Sequence, residues 1–515
     1  MTAADRAATA MPGHASRSLM GRAVLGFGWI FAWRIASRIL GVGSTLLLVR
    51  LLVPADFGLI ELSSSFLLAI ESFSALGVEE AVVRASEQDD ALYDTAFTMI
   101  AARSTLLTIL IAATAAPMAE FFGDPRLRPI VLVFAGTTFL SGLANIRVLE
   151  FRRDLRFDRE FQLQLVPRVA GVIVTIAAAL IWRDYWALVA GTAVQRLLRV
   201  PYSYLMRPYL PCLTLKAWRL LIGFSLWTWM LCIVRLARDR INVFVLGREI
   251  GTSSVGTFSV ALEIATLPTT ELLLPMGRAL FSAVSEMHRA GRSSETMWLR
   301  VVGLIALLGF PASIGLALVA APLVRVMLGP QWMIAVPLLQ IAAVAGAFSI
   351  FEHCCHIQLD AAGLVHVDFQ AVCITTTIRV TLALLLVPKF GLIGAVAGGA
   401  IATLLDQAVY LTFKKLVVTL QIPLLLRQIW RPALATAGMA GCVIWTGFAR
   451  LPAHADESSA AGHLVAAALV GAVLYVVILI SAWQAAGRPA GTEADILLQL
   501  RQAFARFLGS IPVTR

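Results

Sequence analysis

Arginines recur inside stretches of this chain that are otherwise apolar. Arg34 and Arg38 interrupt GFGWIFAWRIASRILGVG, and Arg235 and Arg238 interrupt FSLWTWMLCIVRLARDRINVFVLG. Arg103, Arg147, Arg168, Arg196, Arg199 and Arg379 have similar surroundings. A charge at the centre of a bilayer costs roughly 2.5–3.5 kcal/mol on insertion scales, so such a residue is expected to face a polar cavity or a partner. The guanidinium fork fits phosphate and carboxylate oxygens in pairs. The chemistry these residues can do is to hold something anionic inside a membrane protein.

Each arginine also has a plainer role open to it. Arg34 and Arg38 are one helical turn apart and share a face close to Gly41; Arg235 and Arg238 share a face in the same way. Asp239, one turn beyond Arg235, offers a local ion pair that would only staple a helix. Arg196 and Arg199 fall near the cytoplasmic end of their span, where snorkelling to headgroups also explains them. Glu61, Glu71, Glu263, Glu271, Glu352 and Asp406 are the acids inside spans. Salt bridges to the arginines account for them, or a carboxylate relieved by a proton or sodium couples a gradient to movement. Glu61 and Asp406 lie well within their spans and are the coupling candidates. The run Glu352-His353-Cys354-Cys355-His356 has metal-binding composition. Neighbours on one helix point to different sides, however, so no metal is expected there. AVAGGA at 395–400 reads as small-residue helix packing, and the chain carries no Walker motif for ATP. No cofactor is expected.

The chain has 515 residues, 59% hydrophobic and 14% charged, with a mean hydropathy of +0.82. Soluble domains are about a quarter charged, so a soluble enzyme is excluded. The net charge of +11 is scattered over loops and spans rather than gathered in a patch, which argues against nucleic acid. The six cysteines lack the spacing of a disulfide framework and read as reduced thiols.

Apolar windows predict about fourteen membrane helices. Seven lie at 23–49, 57–78, 93–120, 129–150, 161–182, 186–206 and 220–246. Seven more lie at 255–277, 299–328, 334–358, 369–388, 391–413, 431–449 and 463–483. The first run follows a polar N-terminal tail and has no small-residue cleavage site, which fits an uncleaved span rather than a signal peptide. With both termini cytoplasmic, most loop Lys and Arg fall inside, including those of FRRDLRFDRE at 151–160 and Lys414 and Lys415. The acidic loop 79–92 is the exception. In the tail, ILLQLRQAFARFLG at 496–509 reads as an amphipathic helix on the inner leaflet.

Arg50 matches Arg248 and Gly58 matches Gly256 at one constant offset, and Pro129 falls opposite Pro337. This predicts two repeated six-helix bundles, 23–206 and 220–413, joined by a linker at 207–219. A second linker and helices 13 and 14 fill 414–483, flanked by a tail at 1–22 and one at 484–515.

The segments LLVRLLVPADFGLIELSSSF, ending at Phe66, and RRDLRFDREF at 152–161 carry a further signal. LLIGFSLWTW at 220–229, DRINVFVLGREIGTSSVGTFSVALEIATLP at 239–268 and LGPQWMIAVPLLQIAA at 328–343 add to it. Over roughly residues 20–420 the chain resembles the Wzx-type oligosaccharide flippases of the polysaccharide-export family. That family shares a superfamily with lipid II flippases and multidrug-toxin exporters. The resemblance implies an all-α polytopic fold of two six-helix bundles in a V, working by alternating access. It implies a lipid-linked oligosaccharide as substrate, an undecaprenyl-diphosphate repeat unit, flipped across a bacterial inner membrane for exopolysaccharide, capsule or O-antigen assembly. Membrane lipids, and a polysaccharide polymerase with chain-length proteins, are the partners it implies. The family offers no catalytic motif to transfer, so the substrate-binding candidates come from charge and helix geometry: Arg34, Arg38, Arg103, Arg168, Arg196, Arg199, Arg235 and Arg238. A multidrug exporter would call for an acidic interior instead. A membrane polymerase or ligase needs a sizeable outer loop, and the longest, 450–462, is short. A non-transporting scaffold is the remaining rival.

Overall fold

Pro54, at the first position of a helix, has its φ already set and needs no donor there. Two residues on, the Asp56 carboxylate accepts from the Val53 N–H at 3.1 Å and ties down the preceding turn. Helices follow one another along almost the whole described chain. The computed structural model describes residues 13–73, 77–85, 89–221, 226–290, 292–418, 420–447, 457–489 and 491–494, with no strand among them. The tail helix expected at 496–509, and most of the loop 450–462, lie outside the described residues. The chain forms two compact units, Met1–Trp229 and Met230–Arg515.

The first unit holds α1 (Gly13–Leu51), α2 (Pro54–Phe73), α3 (Asp90–Phe122), α4 (Leu127–Ser141), α5 (Phe157–Trp182) and α6 (Trp186–Met206). Asp89 caps α3 by accepting from Leu92 N, and Gly123 ends it at φ +70°. The arms α5 and α6 form a tight hairpin at Arg183–Tyr185. A Cβ on Gly191 would lie 1.6 Å from Thr175 Oγ1 and 2.8 Å from the Gly171 carbonyl. Only glycine lets these backbones approach so closely.

The span expected at 129–150 is not straight. After Ser141 the chain bends by 75° into a short helical segment at Ile146–Arg153. Buried Asn145 holds the bend: its amide donates to the Arg207 and Ser203 carbonyls, and its N–H donates to Ser203 Oγ at 3.0 Å. Arg147 therefore sits past the bend rather than within a span. It pairs with Asp90 and stacks over the rings of Tyr93 and Tyr209. The linker 207–217 runs as an irregular strap along the start of α3. Tyr209 OH donates to Asp94, Cys212 N to the same carboxylate at 3.1 Å, and Ala217 N to Thr95 Oγ1 at 3.2 Å. Burial and the Asp94 bond push the Tyr209 phenol up from its ordinary value.

The second unit takes in nearly all of α7 (Leu226–Glu249), then α8 (Thr252–Arg289), α9 (Glu295–Leu318), α10 (Ala335–Phe348) and α11 (Ile350–Ala361). It continues with α12 (Val365–Val417), α13 (Ile422–Trp445) and α14 (Glu457–Ala485). α10 and α11 meet at a 43° bend and together occupy the span expected at 334–358. The helical stretch α12 breaks at Gly391, with φ +61° and ψ −136°, and there it doubles back. A Cβ on Gly394 would meet the Leu386 carbonyl at 2.1 Å, and one on Gly398 would meet Leu382 O at 3.6 Å. The spans expected at 369–388 and 391–413 are thus the two arms of one hairpin. Its small residues do the packing read from AVAGGA.

Six described helices are long and apolar enough to cross a membrane, or up to eight if each bent pair is one span. α6 and α7 fall outside that set; both carry the interior arginines that lower their hydropathy.

Candidate functional site

The first unit encloses a cavity of about 590 Å³ framed by α3, α4, α5 and α6. Four of the expected arginines line it: Arg103, Arg168, Arg196 and Arg199. Arg152 joins them from the segment beyond the bend, and Glu71, Glu79 and Glu160 supply its acids. Arg152 donates to Glu160 at 2.6 Å and lies 3.9 Å from Glu79. Arg196 lies 3.8 Å from Glu71, and its guanidinium sits 5.9 Å from the Phe134 ring centroid. Arg103 donates to the Glu71 carbonyl at 3.0 Å. Arg168 reaches across to α1 and donates to the Ser37 carbonyl at 3.3 Å, close beside Gly41. Arg199 has no hydrogen bond or ion pair among the described residues and is exposed. Its fork is open to an anion.

Arg34 and Arg38 are half-buried on α1 and are not among the residues lining this cavity; Trp33 is. Glu61, on α2, accepts from Ser65 Oγ at 3.4 Å.

Arg235 and Arg238 enter two separate networks in the second unit. Arg238 donates to Glu352 at 2.6 Å and to Asp406 at 3.2 Å. Arg379 donates to the same Asp406 oxygen at 2.8 Å and to Thr403 Oγ1 at 3.3 Å, across the hairpin. Asp406 is fully buried. Arg235 pairs with Asp368 of α12 at 3.0 Å rather than with Asp239 of its own helix. The same guanidinium nitrogen lies 3.0 Å from His356 Nε2. His356 Nδ1 is 2.8 Å from Asp368 Oδ1, which also accepts from Tyr410 OH at 3.1 Å.

Asp368 and Tyr410 went unread in the sequence. Asp368 stands at the edge of an apolar run rather than inside one, and no pattern announces a tyrosine that serves it. His356, Asp360 and Asp368 bring ligand atoms within 4.8 Å of one another. Arg235 already places its cation against two of the three. Buried pairs at the second unit's margin were unread as well: Lys414 with Glu295, and Arg431 with Glu493. A further cavity of about 680 Å³, between α9, α13 and α14, is lined almost wholly by apolar side chains.

The family described as "Polysaccharide biosynthesis protein" matches residues 47–337, more than half of the chain. The chain belongs to that family. The match runs from the end of α1 into α10, so it includes all of the cavity lining but Trp33, and Arg235 and Arg238 of α7. Among similar proteins is "Lipopolysaccharide biosynthesis protein WzxC" of Escherichia coli. It is 21% identical over 335 residues, covering 64% of this chain and 68% of that protein. "Succinoglycan biosynthesis transport protein ExoT" of Rhizobium meliloti is 22% identical, over 58% of this chain and 61% of its own. "Probable flippase AglR" of Haloferax volcanii is 24% identical over 73% of this chain and 79% of its own.

Solved structures agree on the fold. "Lipid II flippase MurJ, inward closed conformation" superposes with a TM-score of 0.73 at 15% identity, covering 88% of this chain and 99% of that one. An inward-facing multidrug resistance MATE family transporter of the MOP superfamily gives 0.59 at 15% identity, over 74% of this chain and 94% of its own. The family member described here is a multi-pass, all-helical membrane protein with a transporter fold.

Proposed function

We propose that this protein flips an undecaprenyl-diphosphate-linked oligosaccharide repeat unit across a bacterial inner membrane, by alternating access, for exopolysaccharide, capsule or O-antigen assembly. The observation that carries this reading is the cationic cavity of the first unit, and above all the guanidinium of Arg199, which bonds to none of the described residues. A diphosphate-sugar headgroup needs bidentate donors in a place that lipid cannot reach, and an arginine-lined cavity supplies them. Family membership and the flippase and transport names of its relatives support the same direction. Both termini lie in the cytoplasm, a proton or sodium gradient drives the cycle, and a polymerase with chain-length proteins receives the product. Arg34 and Arg38 act in the headgroup path outside the described cavity.

Reconstituted vesicles bearing a fluorescent diphosphate-linked oligosaccharide lipid test the proposal. Wild-type protein moves the lipid between leaflets. A hydrogen bond to a charged group contributes about 1.5–3 kcal/mol, so Arg199→Gln raises the half-saturating lipid concentration roughly ten- to hundredfold. Because Arg199 holds no hydrogen bond or ion pair among the described residues, the thermal midpoint stays in place. Protein that leaves this lipid unmoved but extrudes small cationic drugs overturns the reading.

A further inference from the structure

We infer that Glu160 is a built-in counter-anion of the first unit's cavity: it occupies the Arg152 guanidinium in the empty protein and yields it to a phosphate of the arriving headgroup. The inference rests on the diphosphate reading of that cavity and deepens it, naming a residue that sets how tightly the anion is held.

The chain does not need this pair to hold its shape. Arg152 and Glu160 flank a sharp turn between the segment beyond the bend and α5, and backbone bonds close that turn. The Arg156 N–H donates to the Phe151 carbonyl at 2.8 Å, and the Leu155 N–H to the Arg152 carbonyl at 3.4 Å. Leu155, at φ +56°, is the left-handed residue that such a helix end requires. The Arg159 and Glu160 N–H groups then donate to the Arg156 carbonyl at 3.1 and 3.3 Å and start α5. With the turn fixed, Arg152 Nε still donates to Glu160 Oε1 at 2.6 Å, and both residues line the cavity.

Glu160 keeps other support when the arginine leaves. Its carboxylate stands in the first turn of α5, where the helix N-terminus favours negative charge. Gln164 Nε2, one turn along, donates to the same oxygen at 3.2 Å. Arg152 is the partner with room to move: its side chain is 45% exposed, against 18% for Glu160. Its second acid, Glu79, is 3.9 Å away and largely exposed, a pair that water screens.

Bond strength decides which anion wins. An ion pair that solvent reaches contributes little net, whereas a phosphate gives the guanidinium fork two charge-assisted bonds. Arg152 holds Glu160 through Nε alone, and its two Nη nitrogens make no hydrogen bond among the described residues. A phosphate thus finds one edge of the fork open before Glu160 has left. In the same cavity Arg199 is open from the start. The exchange swaps one anion for another, with no proton moved and no covalent bond changed. Glu160 then competes for Arg152 throughout, which weakens binding and speeds release.

Binding of farnesyl diphosphate to the full-length protein in detergent tests this, with farnesol as the uncharged control. We expect Glu160→Gln to tighten binding about fivefold, chiefly through slower dissociation. Arg152→Gln weakens it about tenfold. Adding Glu160→Gln to Arg152→Gln changes the constant by less than about twofold, because the competition it relieves is already gone. Asp158→Asn removes a charge from the same helical turn outside the cavity lining, and affinity stays in place. Unchanged or weaker binding in Glu160→Gln overturns the proposal. A gain that persists in the double variant, or that Asp158→Asn reproduces, overturns it too, since long-range charge would then suffice. Wild-type protein that binds no farnesyl diphosphate does the same. Should Glu160→Gln fail to purify as a single species, Glu160→Asp keeps the charge at the helix end but draws it back from Arg152. Tighter binding there supports the exchange, and unchanged binding overturns it. No transport enters this readout. Protein that shows the pattern without flipping the oligosaccharide lipid leaves the inference standing, and protein that flips the lipid without the pattern removes the inference alone.

Discussion

Asp406 is fully buried and takes hydrogen bonds from Arg238 and Arg379 through one carboxylate oxygen. Removing one partner from a buried charge cluster costs more than the cluster contributes, because the charge left behind has no compensation. Asp406→Ala strands two guanidinium groups, of which only Arg238 keeps a second acid, Glu352. It should lower stability by about 3–5 kcal/mol, seen as a large drop in the melting midpoint of purified protein. Arg379→Ala leaves Asp406 with Arg238 and should cost clearly less. If Arg379→Ala proves as damaging as Asp406→Ala, the shared-anion picture of this cluster is wrong. The sequence showed these residues as charges in apolar runs, which is an energetic fact of composition. It could not show which acid meets which base, since partners come from different helices. Asp239 looked like the partner of Arg235 because it is near in sequence, yet the fold supplied Asp368 instead.

At the level of helices, the hairpin around Gly391 makes a sharp distinction between neighbouring glycines. A Cβ at Gly394 would sit 2.1 Å from the Leu386 carbonyl oxygen, which is backbone and cannot swing away. A Cβ at Gly399 would meet only Asn242 Nδ2, at 3.8 Å, an ordinary contact. Gly394→Ala must therefore force the arms apart, at a cost of about 1–3 kcal/mol or more. Gly399→Ala should be neutral or slightly stabilising, since alanine is the better helix former by about 1 kcal/mol. Thermal unfolding of the two single variants side by side checks this, and equal midpoints would refute the close approach. Helix existence was legible throughout, because apolar runs of membrane length leave little choice of structure. The bend after Ser141 was not. Asn145 reads as one polar residue in an apolar window, and only its bonds to Ser203 and Arg207, from a helix far along the chain, show why the span stops there.

Across the whole molecule, the distribution of Lys and Arg sets the direction of insertion, and one cysteine offers a direct check of it. Cys212 is exposed and lies in the strap between α6 and α7, on the side predicted to be cytoplasmic. Its backbone N–H is fastened to Asp94, and the flanking Thr214 N–H donates to Thr98 Oγ1 at 3.0 Å, so the strap stays with the start of α3. Arg207 begins the strap and Arg219 follows its end, the kind of charge that stays on the inner face. In a variant with Cys212 as its one exposed thiol, a charged, membrane-impermeant maleimide should label inverted vesicles and leave intact spheroplasts unlabelled. Labelling in spheroplasts alone would reverse the topology. It would also put the mouth nearest Arg199 and Arg152 on the outer face, where a substrate made inside the cell could not enter it. The same experiment therefore bears on the direction of transport, because the cavity, the strap and the basic segment 151–160 all belong to one end of the first unit.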